Sequence, residues 1–270
     1  MPPAKVWGKL HQERFAGLPA DCGNETEPGV IYNENLRDWS DKATTPDQRR
    51  IEHYIDRFDL RKKRILHVGI GNSGLAKRLH RRVGEIVGTT IDQPEIDVSR
   101  PLAISNYSVV RHNKYSGNSK DLGGKFDLII DNNLTSPCCC MRHLGDMLDL
   151  YRDKLKAGGE VVTDRLGLGW VPDGSNPRWR FDFEDLAAVA SAAGLSAFRI
   201  NSNTYVLSRS APARPSFTSV ARYLGRRARM LPGQAIRHGP RIISAACRRS
   251  IGKLLASVPR AFPGRYGKRP

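Results

Sequence analysis

The sequence predicts an α/β fold: a mainly parallel, seven-stranded sheet with helices on both faces and a C-terminal antiparallel hairpin. Residues 64–92, RILHVGIGNSGLAKRLHRRVGEIVGTTID, read as strand, glycine loop, helix and strand, ending on an acid. Short apolar runs then alternate with helical or irregular connections as far as Asp164, the pattern of buried parallel strands joined by crossovers. Finally, two short runs flank the turn Asn201-Ser202-Asn203, which is how a hairpin looks in sequence.

Residues 1–44 are polar and irregular, with Pro2, Pro3, Pro19 and Pro28, and read as a lid or a disordered lead. Thr45-Pro46-Asp47-Gln48 is a helix start, with Thr45 as cap, Pro46 in the first turn and Gln48 completing a capping box. Ile51, Ile55 and Phe58 give that helix one buried face. Ile65, Leu66 and Val68 form the first strand. The glycine loop follows, and then a helix with Leu75 and Leu79 on one side. Ile86, Val87 and Ile91 make the second strand, 107–110 the third and 126–131 the fourth. A helix from about 139 to 155 stops at Lys156-Ala157-Gly158-Gly159, and 160–164 is the fifth strand. A helix over 183–193, capped by Asp182 and closed by Gly194, precedes the hairpin strands 197–200 and 204–207.

The 270 residues carry 44 Lys and Arg against 27 Asp and Glu, a net charge of +17. Fourteen of those basic residues and none of the acidic ones lie in 211–270, leaving +3 for the first 210. The body is nearly neutral and the tail is basic. Three domains follow: an irregular segment 1–44, a catalytic domain 45–210 and a helical tail 211–270. Five cysteines show neither C-x-x-C spacing nor an even disulfide framework, which fits a reducing cytoplasm. The consecutive Cys138, Cys139 and Cys140 read as small packed hydrophobes that a helix would point in different directions. Neither a signal peptide nor a membrane-spanning stretch is legible.

Gly69, Gly71 and Gly74 form G-x-G-x-x-G, whose side-chain-free positions allow a tight turn and close approach of a ligand. Asp92 closes the next strand, where a carboxylate can accept bonds from both ribose hydroxyls. The unit therefore suits an adenosine-containing cofactor, either a dinucleotide or S-adenosylmethionine.

Four motifs together carry a family resemblance: HVGIGNSG at 67–74, TTID at 89–92, FDLIID at 126–131 and LKAGGEVV at 155–162. Residues 45–209 resemble the class I S-adenosylmethionine-dependent methyltransferases, which have a Rossmann-like fold. The last motif argues against a NAD(P)-dependent oxidoreductase, because this family typically enters its fifth strand through a Leu-Lys-x-Gly-Gly turn. The resemblance implies that loop 69–74, with Gly69, Gly71, Asn72 and Gly74, lies along the methionine part. It also implies Asp92 on the ribose and Asn113 near the adenine. One position departs: His67 stands where the family usually has an acid, so either another acid takes over or the cofactor is held differently.

Methyl transfer to an alcohol needs in-line positioning and a base or metal. Asp131, at the carboxyl edge of the sheet, and His143, the nearest imidazole in sequence, are the candidates. Asp131 with Asp164 could face one Mg²⁺, although Arg165 stands where a further oxygen ligand is expected. The loop 167–181, with Trp170 and Trp179, suits stacking on a ring. The expected activity is O-methylation of a sugar, glycan or glycolipid hydroxyl. An RNA-modifying or nucleic-acid-binding protein is the rival suggested by the basic tail, disfavoured by the tail's few interleaved aromatics and by the nearly neutral body.

In the tail, Phe217, Val220, Ala221, Leu224, Ala228 and Leu231 make one apolar helical stripe. Ile243, Cys247, Ile251, Leu254 and Val258 make a second, with arginines around both. Such helices lie on anionic bilayers, the alternatives being that they dock on the protein itself or pair in a dimer; the expected location is cytoplasmic, peripheral at the inner face of the plasma membrane where the first reading holds.

Overall fold

The computed structural model describes residues 3–24, 39–117, 120–136, 138–171, 175–212, 219–221 and 223–225. The chain divides into two units, Met1–Val220 and Ala221–Pro270. Of the tail stripes expected at 217–231 and 243–258, Val220, Ala221 and Leu224 are among the described residues, and the rest lie outside them.

In order, the elements of the first unit are α1 (Pro3–Arg14), α2 (Pro46–Ile55), β1 (Arg64–Val68), α3 (Gly74–Leu79), β2 (Glu85–Thr90), α4 (Gln93–Ser99) and β3 (Tyr107–Arg111). There follow β4 (Phe126–Asp131), α5 (Met141–Lys154), β5 (Leu155–Asp164), α6 (Arg165–Leu168), α7 (Phe183–Ala192), β6 (Ser196–Arg199) and β7 (Thr204–Ser208). The seven strands form one sheet in the order β3-β2-β1-β4-β5-β7-β6. The first five are parallel, and β7 runs antiparallel to both β5 and β6. The fold class is the one the sequence predicts, Rossmann-like with an antiparallel end.

Alternation along the strands divides the core in two. Leu66, Ile129, Val161 and Leu207 face α5 and α7, where Leu144, Leu148, Leu186 and Val189 complete one cluster. Ile65, Ile130, Val162 and Val206 face the other way, onto Ile51 and Ile55 of α2 and Leu75 and Leu79 of α3. Both clusters are apolar because a central parallel strand has no solvent face.

Among these elements the structure departs from the sequence reading most clearly at three places. The segment read as irregular carries α1, and behind it Phe15 and Leu18 are buried. Trp7 packs so closely on α5 that a Cβ at Gly145 would stand 3.0 Å from its ring. Helical apolar spacing is weak here because only one narrow strip, Trp7 and Leu10, meets the core. At α2, Thr45 makes no capping bond; the Gln48 amide lies 3.5 Å from both Glu52 Oε1 and His67 Nε2, so the capping box does not form. Asp182 does form one, with Asp185. Lastly, Gly158-Gly159 falls inside β5 instead of ahead of it, at a register shift against Phe126 and Leu128.

Candidate functional site

Parallel strands bring their carboxyl ends to one edge, and an open α/β sheet binds ligands there, where the strand order reverses. In this chain the reversal lies between β1 and β4. A cavity of about 880 Å³ opens at that edge. Loop 69–74 after β1, Asp92 after β2, Asn113 after β3 and Asp131 at the end of β4 all line it. Residues 39 and 42–48 close one side, and Leu166 and Trp170, both exposed, stand at another.

The loop is held by its own hydrogen bonds. Gly69 N–H donates to Thr89 O at 2.8 Å, and Ser73 N–H to Ile70 O at 2.9 Å. Asn72 accepts the Gly74 N–H at 2.8 Å and donates to Lys42 O at 2.5 Å. Gly69 has φ +72°, and a Cβ built on it would meet nothing within 4 Å. The backbone there is therefore turned to the cavity with open space above it, a cradle that a side chain would fill.

A buried carboxylate also reaches the loop. Glu95 of α4 accepts the Gly71 N–H at 3.1 Å and lines the cavity. Sequence reasoning passed over Glu95; the only signal was an acid one turn beyond Asp92. It supplies the loop with an acid from α4, while the strand position two residues before the first glycine is held by His67. Burial drives the His67 pKa down to about 4, so its imidazole is neutral at pH 7. His112 is lowered for the same reason. Tyr107, whose hydroxyl lies 3.0 Å from Ser73 Oγ, is pushed up to about 12, chiefly by burial.

Asn113 lines the cavity and also accepts the Tyr115 N–H at 3.0 Å, starting the turn after β3. Asp131 lies at the cavity floor with both oxygens engaged. Lys114 Nζ donates to them at 3.1 and 2.9 Å, and the Tyr151 hydroxyl donates at 2.7 Å. Neither partner was legible in sequence, because one lies on the turn after β3 and the other on α5.

The expected Mg²⁺ pair does not form. Ile130 stands beside Val162 in the parallel ladder, so Asp131 shares its face with Thr163 while Asp164 points to the opposite face. Each acid has its own cation: Lys114 holds Asp131, and Arg50 of α2 holds Asp164 at 2.8 and 2.7 Å. Trp179, expected over the site, is instead a core residue stacked on Phe181.

His143 is not brought to the cavity. It is buried on α5 against three cysteines. The expectation that consecutive cysteines diverge on a helix fails because α5 begins only at Met141. Cys140 is extended, with φ −160° and ψ 165°.

Among the described residues, no helix is long and apolar enough to cross a membrane. No protein-family model and no curated protein sequence matches the chain. Solved structures similar to it include the CcbJ methyltransferase from Streptomyces caelestis, 17% identical over 62% of this chain and 97% of that one, TM-score 0.49. A TehB-like SAM-dependent methyltransferase from Corynebacterium glutamicum is 21% identical over 58% and 85%, TM-score 0.45. The N-methyltransferase NodS from Bradyrhizobium japonicum is 13% identical over 60% and 95%, TM-score 0.45.

Proposed function

We propose that the chain is an S-adenosylmethionine-dependent methyltransferase. The observation that carries this reading is the Glu95 carboxylate set against Gly71 of the glycine loop. A diphosphate in that loop would meet a like charge, which is costly in a buried site. A methionine tail brings an ammonium instead. The residues fit such a ligand: Gly69 and Gly71 beside the tail, Asp92 for the ribose hydroxyls and Asn113 for the base. When bound, the cofactor supplies an electrophilic methyl group. This chain's residues then bind, orient and exclude water, and positioning of donor and acceptor in line is the larger share of catalysis.

The acceptor we propose is a sugar, glycan or glycolipid hydroxyl, supported by the exposed indole of Trp170 at the cavity. With both oxygens of Asp131 engaged, its role in this reading is to hold Lys114 at the cavity floor. The basic segment 211–270 would bring the enzyme to an anionic membrane surface. In liposome co-sedimentation the full chain should pellet with anionic vesicles and less so at high salt; equal pelleting with neutral vesicles would remove this role.

Calorimetry tests the core of the reading. S-adenosylhomocysteine should bind the full chain and NAD⁺ should not. Asp92→Ala should weaken binding at least tenfold, since a hydrogen bond to a charged group is worth about 1.5–3 kcal/mol. Unchanged affinity in a folded Asp92→Ala protein, or NAD⁺ binding in place of S-adenosylhomocysteine, overturns it. Mass spectrometry of candidate glycans after incubation with labelled donor identifies the acceptor.

A further inference from the structure

The cysteines that the methyl-transfer chemistry leaves unused converge on one point. Cys22, in the segment behind α1, meets Cys139, Cys140 and His143 at the start of α5, and their four ligand atoms lie within 4.8 Å of one another. From His143 Nδ1 the sulfurs of Cys22, Cys139 and Cys140 are 3.4, 3.0 and 3.2 Å away. The sulfur of Cys139 is 3.5 Å from that of Cys22 and 3.8 Å from that of Cys140. All four cysteines described are free thiols.

These five separations lie within about 0.5 Å of the edges of a coordination tetrahedron. Thiolates at about 2.3 Å and an imidazole at about 2.0 Å from one metal stand about 3.8 Å (S···S) and 3.5 Å (S···N) apart. We propose that Cys22, Cys139, Cys140 and His143 bind one zinc ion in a closed Cys₃His structural site, separate from the cofactor cavity.

The surroundings favour it. Backbone bonds hold the two halves in register: Met141 N–H donates to Pro19 O at 2.9 Å and Arg142 N–H to Ala20 O at 3.0 Å. Cys140 occupies the N-cap of the 14-residue α5, where the helix dipole stabilises a thiolate. Three thiolates and one Zn²⁺ leave the site at −1, and Arg142, ion-paired with Asp21 at 2.9 Å, places a guanidinium beside it. On binding, the thiol protons pass to solvent and the His143 Nδ1 lone pair is donated to the metal. Four protein ligands leave no open position, which separates a structural zinc from a catalytic one. The fourth sulfur nearby stays out: the Cys138 thiol donates to Cys140 O at 3.3 Å. Zinc here would pin the segment behind α1 to α5.

The full chain, purified with reductant, should contain one zinc by elemental mass spectrometry. Replacement by Co²⁺ should give the intense d–d bands of a tetrahedral site and thiolate-to-cobalt charge transfer. Cys22→Ser and His143→Asn should each weaken zinc binding at least tenfold in competition with a chromogenic chelator, and Cys138→Ala should not. If the ligand variants fail to fold, the cobalt spectrum of the unaltered chain decides alone. Weak octahedral bands, zinc retained by the Cys139→Ser/Cys140→Ser chain, or a reduced chain that takes up no zinc each overturn the proposal. None of these outcomes depends on the methyltransferase reading.

Discussion

Arg50 grips Asp164 with two parallel hydrogen bonds, Nε to Oδ2 at 2.8 Å and Nη2 to Oδ1 at 2.7 Å. The carboxylate is fully buried while Arg50 keeps 34% of its side chain exposed. This fork ties α2 to the end of β5, and Asp164 also accepts the Leu166 N–H that starts α6. Removing the guanidinium strands a buried charge. Arg50→Ala should cost about 3 kcal/mol, the low end for a broken buried pair because the arginine is partly hydrated. Arg50→Lys should recover only part, since an ammonium cannot match both oxygens. Urea denaturation reads both values.

The cluster of Lys114, Asp131 and Tyr151 gives a second expectation. Lys114→Met leaves the Asp131 carboxylate without its cation, at a cost of about 3–5 kcal/mol. Tyr151→Phe removes one bond to a charged acceptor, about 1.5–3 kcal/mol. If Asp131 serves to hold Lys114, Asp131→Asn should lower the melting temperature as well as turnover. A loss of turnover with stability unchanged would instead mark the acid as a direct participant in the chemistry.

His67 sets a pH dependence. Its folded pKa, about 4, lies below the ordinary 6.5 because burial penalises the imidazolium. The unfolded chain therefore binds the proton first as pH falls, so stability is full above about pH 6.5 and is lost progressively towards pH 4. The loss is about 3 kcal/mol over that window. His67→Gln should flatten this part of the profile. His112, lowered in the same direction, leaves a smaller slope that His67→Gln/His112→Gln removes. Denaturant melts between pH 4 and 7.5 test the assignment.

Trp170, 42% exposed at the cavity, should contribute to acceptor binding and little to the fold. Trp170→Ala should raise the acceptor KM several-fold, leave S-adenosylhomocysteine affinity unchanged by calorimetry and alter stability by less than about 0.5 kcal/mol.

The strands and their order of succession were legible because buried parallel strands leave short apolar runs, and the glycine loop because its turn needs those residue types. Gly69, Gly71, Asn72, Gly74, Asp92, Asn113 and Asp131 share one cavity, as their positions at strand ends require. What stayed hidden depends on long-range neighbours. Lys114 and Tyr151 reach Asp131 from different elements, and Glu95 reaches the loop from α4. Asp164 was misread because facing depends on register: one residue's difference from Thr163 turns its side chain to the opposite side. His143 was assigned to chemistry by nearness in sequence, and Cys22 lies more than a hundred residues before the cysteines it meets.

The position of β7 between β5 and β6 has a consequence for the order in which the chain can complete itself. During synthesis β5 emerges with its partner β4 already made, but its other side stays an open row of amides and carbonyls until Thr204–Ser208 follows. Val161 and Val162, one on each face, are both apolar and wholly buried in the finished sheet. A nascent chain halted between these strands therefore exposes the kind of two-faced apolar edge that recruits foreign strands. A terminus engineered before residue 204 should yield aggregates, however much of the cofactor cavity it retains.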